Sequence, residues 1–155
     1  MTLKKTLKWI ALSVLVLVAV LLATASIWPA INDVRTGATP EYPDLQAQHF
    51  RQPAEKVFDA ALAVATASGW EITARNRRAG NNDKDNAGEI AGEIRAVATT
   101  TLWRFKDDVT ITIGHEANGA VVNVRSRSRI GKGDLGANAR RIRRFQADLA
   151  LRLPG

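Results

Sequence analysis

Three spacings of apolar residues divide this chain. Ile10 to Trp28 (IALSVLVLVAVLLATASIW) is a run without a charge. After it, Ala54, Val57, Phe58, Ala61, Leu62 and Ala65 recur at three and four, which predicts a helix opened by Pro53 and stopped at Gly69. The period then drops to two. Trp70, Ile72 and Ala74 alternate with Glu71, Thr73 and Arg75, and Val109, Ile111 and Ile113 alternate with Thr110 and Thr112. Two more strands are predicted over 91–102 and 120–129, with turns at Lys106-Asp107-Asp108 and at Asn118-Gly119. A last helix is predicted over 135–153. Leu135, Ala139, Ile142, Phe145, Leu149 and Leu153 form its apolar stripe, with Asp134 as N-cap.

The order helix, four strands, helix predicts an α+β fold: a four-stranded antiparallel sheet with two helices on one face, preceded by one N-terminal transmembrane helix. At about 1.5 Å per residue, the run 10–28 reaches about 28 Å as a helix, close to the hydrocarbon thickness of a bilayer. Lys4, Lys5 and Lys8 precede it, so positive-inside bias keeps the N-terminus cytoplasmic and exports the rest, to the periplasm in a Gram-negative cell. The expected localisation is the inner membrane, single-pass. Ala23-Thr24-Ala25 offers a small-x-small cleavage site, so a signal peptide is the competing reading. The expected organisation is a basic tail 1–9, an anchor or signal peptide 10–28, a linker 29–49 marked by Pro29, Gly37, Pro40 and Pro43, and an exported domain 50–155.

Charge changes this picture in one place. Of a formal net charge of +7, the imbalance concentrates in residues 125–152, where nine Lys and Arg face only Asp134 and Asp148. Absence of cysteine excludes disulfides, thiolate nucleophiles and Cys-type zinc sites. His49 and His115 lack a metal-ligand spacing and read as incidental surface residues. The loop 81–86 (NNDKDN) fails an EF-hand register, because Ala87 and Ile94 would fall on ligand positions, and reads as a solvated turn. No metal and no cofactor is expected.

The fourth strand carries the most informative alternation. Val122, Val124, Ser126 and Ser128 point one way, and Arg125, Arg127 and Arg129 the other, about 7 Å apart. With the valines toward the helices, the arginines form a cationic ladder on the open face, suited to phosphates, carboxylates or an acidic surface. The bland alternative pairs them with Glu71, Glu93, Asp107 or Asp108 on neighbouring strands. Gly131-Lys132-Gly133 leads into the last helix like an anion nest, but the P-loop spacing is missing, and Asp134 would occupy the helix N-terminus and pair with Arg129. The cluster Arg140-Arg141 and Arg143-Arg144 has no interleaved aromatics to stack on bases. Nucleic acid is not expected as a partner; anionic headgroups are compatible, and a solvated helix face is the bland reading. No catalytic constellation emerges.

Arg125, Ser126, Ser128, Arg129, Gly131, Asp134, Gly136, Asn138, Arg141 and Ile142 together form a pattern that resembles the C-terminal signature of the family named domain of unknown function 1499. Ile31-Asn32-Asp33-Val34 is similar to the segment that opens that domain, and Gly69-Trp70 and Phe105-Lys106-Asp107-Asp108 also fit. The resemblance covers about residues 31–151 and implies a small domain, often behind a membrane segment, with no established activity to carry over. If 31–34 belong to the domain, the linker is shorter or partly packed.

The expected function is a non-catalytic binding or interaction module, held at the membrane and using a basic face for an anionic lipid, polymer or acidic protein. Arg125, Arg127, Arg129, Lys132 and Arg141 are the expected binding residues. Ser126, Ser128, Gly131, Asp134, Gly136 and Asn138 form the structural motif around them. The alternatives are an enzyme acting on an anionic envelope metabolite, and a purely structural subunit of an envelope complex.

Overall fold

The computed structural model describes residues 3–27, 29–78, 88–100 and 104–154. Its elements are α1 (Leu3–Ile27), β1 (Asp33–Arg35), β2 (Gln48–Phe50), α2 (Ala54–Ala67), β3 (Glu71–Arg77), β4 (Ile90–Thr99), β5 (Lys106–Glu116), β6 (Gly119–Ser128) and α3 (Ala137–Arg152). All strands join one antiparallel sheet in the order β1-β6-β5-β4-β3, and β2 also pairs with β6. The expected four-stranded sheet is therefore a six-stranded one. β1 lies along Arg125–Arg127 and β2 along Ala120–Val122, so one long strand carries two short ones end to end.

Those two strands come from the stretch read as a linker. Prolines and glycine there mark turns rather than disorder: Val34 and Leu45 are fully buried, and Tyr42 packs in the same core. Two three-residue strands are too short for an alternation to show in sequence.

The expected membrane-spanning helix is also corrected. Among the described residues no helix is long and apolar enough to cross a membrane. In α1 the side chains described without interruption run from Leu7 to Ala23, all exposed. None of them belongs to the hydrophobic core. Trp28, expected to close the span, and the loop 81–86 lie outside the described residues.

The core sits between one face of the sheet and α2 and α3. Val57, Phe58, Ala61 and Val64 of α2 meet Ile142, Phe145 and Leu149 of α3 over Ile94, Ile111, Ile113, Val122 and Val124. α2 ends where Gly69, at φ +74°, turns the chain so that the Trp70 N–H reaches the Ala65 carbonyl at 3.2 Å. Three local expectations shift. Lys106-Asp107-Asp108 opens β5 instead of forming a turn, because the chain reverses earlier, with Arg104 at φ 53°. The β5–β6 partners Glu116 and Gly119 leave Ala117-Asn118 as the loop. Gly119, at φ +145°, stands where a Cβ would lie 1.9 Å from the Phe50 carbonyl oxygen, so only glycine lets β2 close on β6 there. Leu135 lies outside α3 and is exposed.

Candidate functional site

The pleat of β6 runs as its alternation predicts: Val122, Val124, Ser126 and Ser128 are buried toward the helices, and Arg127 is exposed on the other face. Two separate polar arrangements follow, one inside and one outside.

Inside, Asp107 at the start of β5 is buried beside Ser128. Arg141 of α3 reaches down to it, donating to its carboxylate at 2.5 Å. The same guanidinium donates to Ser126 Oγ at 2.8 Å and to Asn138 Oδ1 at 2.6 Å. Ser126 Oγ donates to Asn138 Oδ1 at 2.6 Å, and Asn138 Nδ2 donates to Ser128 Oγ at 2.9 Å and to the Asn32 carbonyl at 3.1 Å. Buried polar groups are tolerated when each finds a partner, and these do. Arg141, expected among the binding residues, is thus engaged by the interior.

The network is held in place by the turn before α3. Asp134 accepts from the Gly136 N–H at 2.8 Å and the Asn138 N–H at 2.7 Å, as a cap should. It stabilises consecutive left-handed residues, Leu135 at φ 52° and Gly136 at φ 75°. Asp134 does not pair with Arg129. Its own N–H donates to the Ile31 carbonyl at 3.1 Å, and Asn32 Nδ2 donates to the Gly131 carbonyl. Lys132 is exposed on this loop. The segments Ile31–Val34 and Arg125–Ile142, far apart in sequence, therefore meet at one place.

Outside, the arginine ladder finds carboxylates. Arg125 donates twice to Asp33, at 2.9 and 2.5 Å, and Arg129 donates twice to Asp108 Oδ1, at 3.0 and 2.6 Å. The Arg125 hydrogen bond holds the Asp33 carboxyl below its ordinary range against the opposing effect of burial, and Arg129 does the same for Asp108. Arg127 lies in register between Asp33 on β1 and Asp108 on β5, and its side chain makes no hydrogen bond or ion pair among the described residues. Asp108 was among the neighbouring acids that sequence reasoning offered. Asp33 was missed because its strand was read as linker; the match of Ile31–Val34 to a domain-opening segment was the available signal.

Next to this row the open face dips into a depression of 440 Å³. Arg35 of β1, Arg95 of β4 and Arg125 of β6 line it with Thr110, Thr112 and Asn123. Glu93 is the one carboxylate in the lining and accepts from Arg95 at 2.7 Å. Thr36 Oγ1 donates to Asn123 Oδ1 at 3.1 Å, which fixes that amide at the edge of the dip. The arrangement is rich in donors and suits an oxyanion or a polyhydroxylated acid. Beside it, hydrogen bonds from Arg125 and Arg129 keep Asp33 and Asp108 ionised.

The histidines do not converge. His49 sits 2.9 Å from Glu116 on the surface, while His115, expected at the surface, is buried on the inner face of β5. Among the described residues no three His, Cys, Asp or Glu side chains gather as a metal requires.

No curated protein matches the chain at a significant level. The family model described as protein of unknown function (DUF1499) matches residues 23–149, which take in both the buried network and the paired ladder, and the chain belongs to that family.

Proposed function

We propose that this domain is a non-catalytic binding module for an anionic partner, and that the open sheet face, centred on the depression lined by Arg35, Arg95 and Arg125, receives it. The observation that carries the reading is the chemistry of that lining: three guanidiniums, three threonines if Thr36 is included and one asparagine, against the single carboxylate of Glu93. Arg127, unpaired among the described residues, adds a cation beside it. A charged group of the partner would exchange with the exposed carboxylates for these arginines, so affinity falls as salt rises.

The test is calorimetric titration with polygalacturonate and with inorganic phosphate. Arg35→Gln with Arg95→Gln, which leaves the Arg125–Asp33 pair intact, is expected to weaken binding at least tenfold. Unchanged affinity in the folded double variant rejects the reading. We also propose export of the domain from the cytoplasm, supported by Lys4, Lys5 and Lys8 ahead of the apolar run and by the small residues at 23–25. An alkaline phosphatase fusion after residue 155 is expected to be active; an inactive fusion at normal expression rejects export.

A further inference from the structure

The sheet is covered on its other face by α2 and α3, and the end of α2, Trp70 and α3 line a groove of 860 Å³. That volume lies within the range of about 300–1,000 Å³ that small-molecule sites occupy. Val64 and Trp70 form its apolar wall above Phe145, and the two rings stack with centroids 5.6 Å apart and planes at 23°. Trp70 is only half-buried, so its indole is presented to the groove as well as to the core.

The rim is cationic. Arg140, Arg144 and Arg152 project along one edge of α3, with Asp148 as the one acid in the lining. Several cations elsewhere on the domain meet carboxylates: Arg77 meets Asp59, Arg125 meets Asp33, Arg129 meets Asp108 and Arg143 meets Asp44. Three at this rim do not. Among the described residues the side chains of Arg144 and Arg152 make no hydrogen bond or ion pair, and the Arg140 guanidinium donates only to the Leu135 carbonyl at 2.9 Å. Like charges four apart on a helix, as at Arg140 and Arg144, repel by a few tenths of a kcal/mol. An anion against Arg144 would relieve that repulsion, Arg152 is close enough along the same edge of α3 to share it, and an apolar body would cover the Trp70 edge.

We propose that this groove binds an amphiphilic anion: an apolar body seated against Trp70, ended by a phosphate or carboxylate held by Arg144 and Arg152. The site is distinct from the open sheet face and takes ligands that face cannot, because it supplies an aromatic wall.

Calorimetric titration of the full chain with decyl phosphate, kept below its micelle-forming concentration, tests this. Saturable binding is expected, with inorganic phosphate and decanol each at least tenfold weaker. Arg144→Gln with Arg152→Gln, and separately Trp70→Ala, should each weaken decyl phosphate at least tenfold. The open-face variant Arg35→Gln with Arg95→Gln should leave it unchanged, so failure here and failure of the sheet-face reading are separable. Binding that persists in Arg144→Gln with Arg152→Gln reports the exposed apolar side chains of α1 and overturns the proposal, as does an absence of saturation. If phosphatidylglycerol vesicles also bind in an Arg144- and Arg152-dependent way, the source is a membrane lipid; if only the monomer does, it is a free amphiphile. Either supports the groove.

Discussion

Arg141 and Asp107 meet at 2.5 Å beneath α3, with the aspartate side chain 2% exposed and the arginine 12%. Two charges that deeply placed are stable only as a pair, since each alone would carry an unpaid desolvation cost of several kcal/mol. Ser126 and Asn138 accept both Nη1 hydrogens of the same guanidinium, so four residues act as one unit that locks α3 onto β5 and β6.

Arg141→Met should therefore destabilise the domain by about 3–5 kcal/mol, because the buried Asp107 carboxyl loses its partner. Asp107→Leu combined with Arg141→Met should recover much of that loss. Urea unfolding followed by circular dichroism measures both, and equal destabilisation of the single and double variants would contradict the pairing.

Leu45→Ala should cost about 2–5 kcal/mol, the range for removing a fully buried leucine side chain. The unfolding transition should remain single. A neutral effect would mean that the segment carrying β1 and β2 does not fold with the sheet.

Asp134→Ala removes the acceptor for two N–H groups at the start of α3 and should cost about 1–2 kcal/mol. Asp134→Asn, which keeps an acceptor, should cost less. Amide exchange at Asn138 reports the effect locally.

Stability should fall on acidification in a defined window. Asp33, Asp44 and Asp108 are held below the ordinary value of 3.8 by hydrogen bonds from Arg125, Arg143 and Arg129. A depressed carboxylate contributes stability that is fully present above its unfolded value and is lost as pH falls through the folded one. The urea midpoint should hold level until pH approaches 3.8 and decline below it. Asp33→Asn with Asp108→Asn should start lower and decline less; an unchanged slope would count against these pairs.

The open sheet face and the buried network were unequally legible. Ser126 and Ser128 read correctly as inward because a strand alternates strictly. Asp107 read as part of a turn, since three polar residues in succession look the same in a loop and in a strand that buries one of them. Its burial depends on Arg141, which lies 34 positions away. His115 misled for a similar reason: it ends the alternation of β5, and its inward side is set by the register with β6.

Local periodicity by itself determined α2, α3, the four long strands and the orientation of β6, because each follows from side-chain direction within a few residues. Asp134, read as the N-cap, does accept from N–H groups at the start of α3, but the N-cap position is Gly136, because the helix begins two residues later than its apolar stripe suggested. Tertiary structure alone decided which acid each arginine meets, that residues 33–50 complete the sheet, and that Arg141 turns inward while Arg144 stays out. Those outcomes rest on contacts between distant segments, 92 residues apart for Arg125 and Asp33, and sheet order rather than spacing brings these two together.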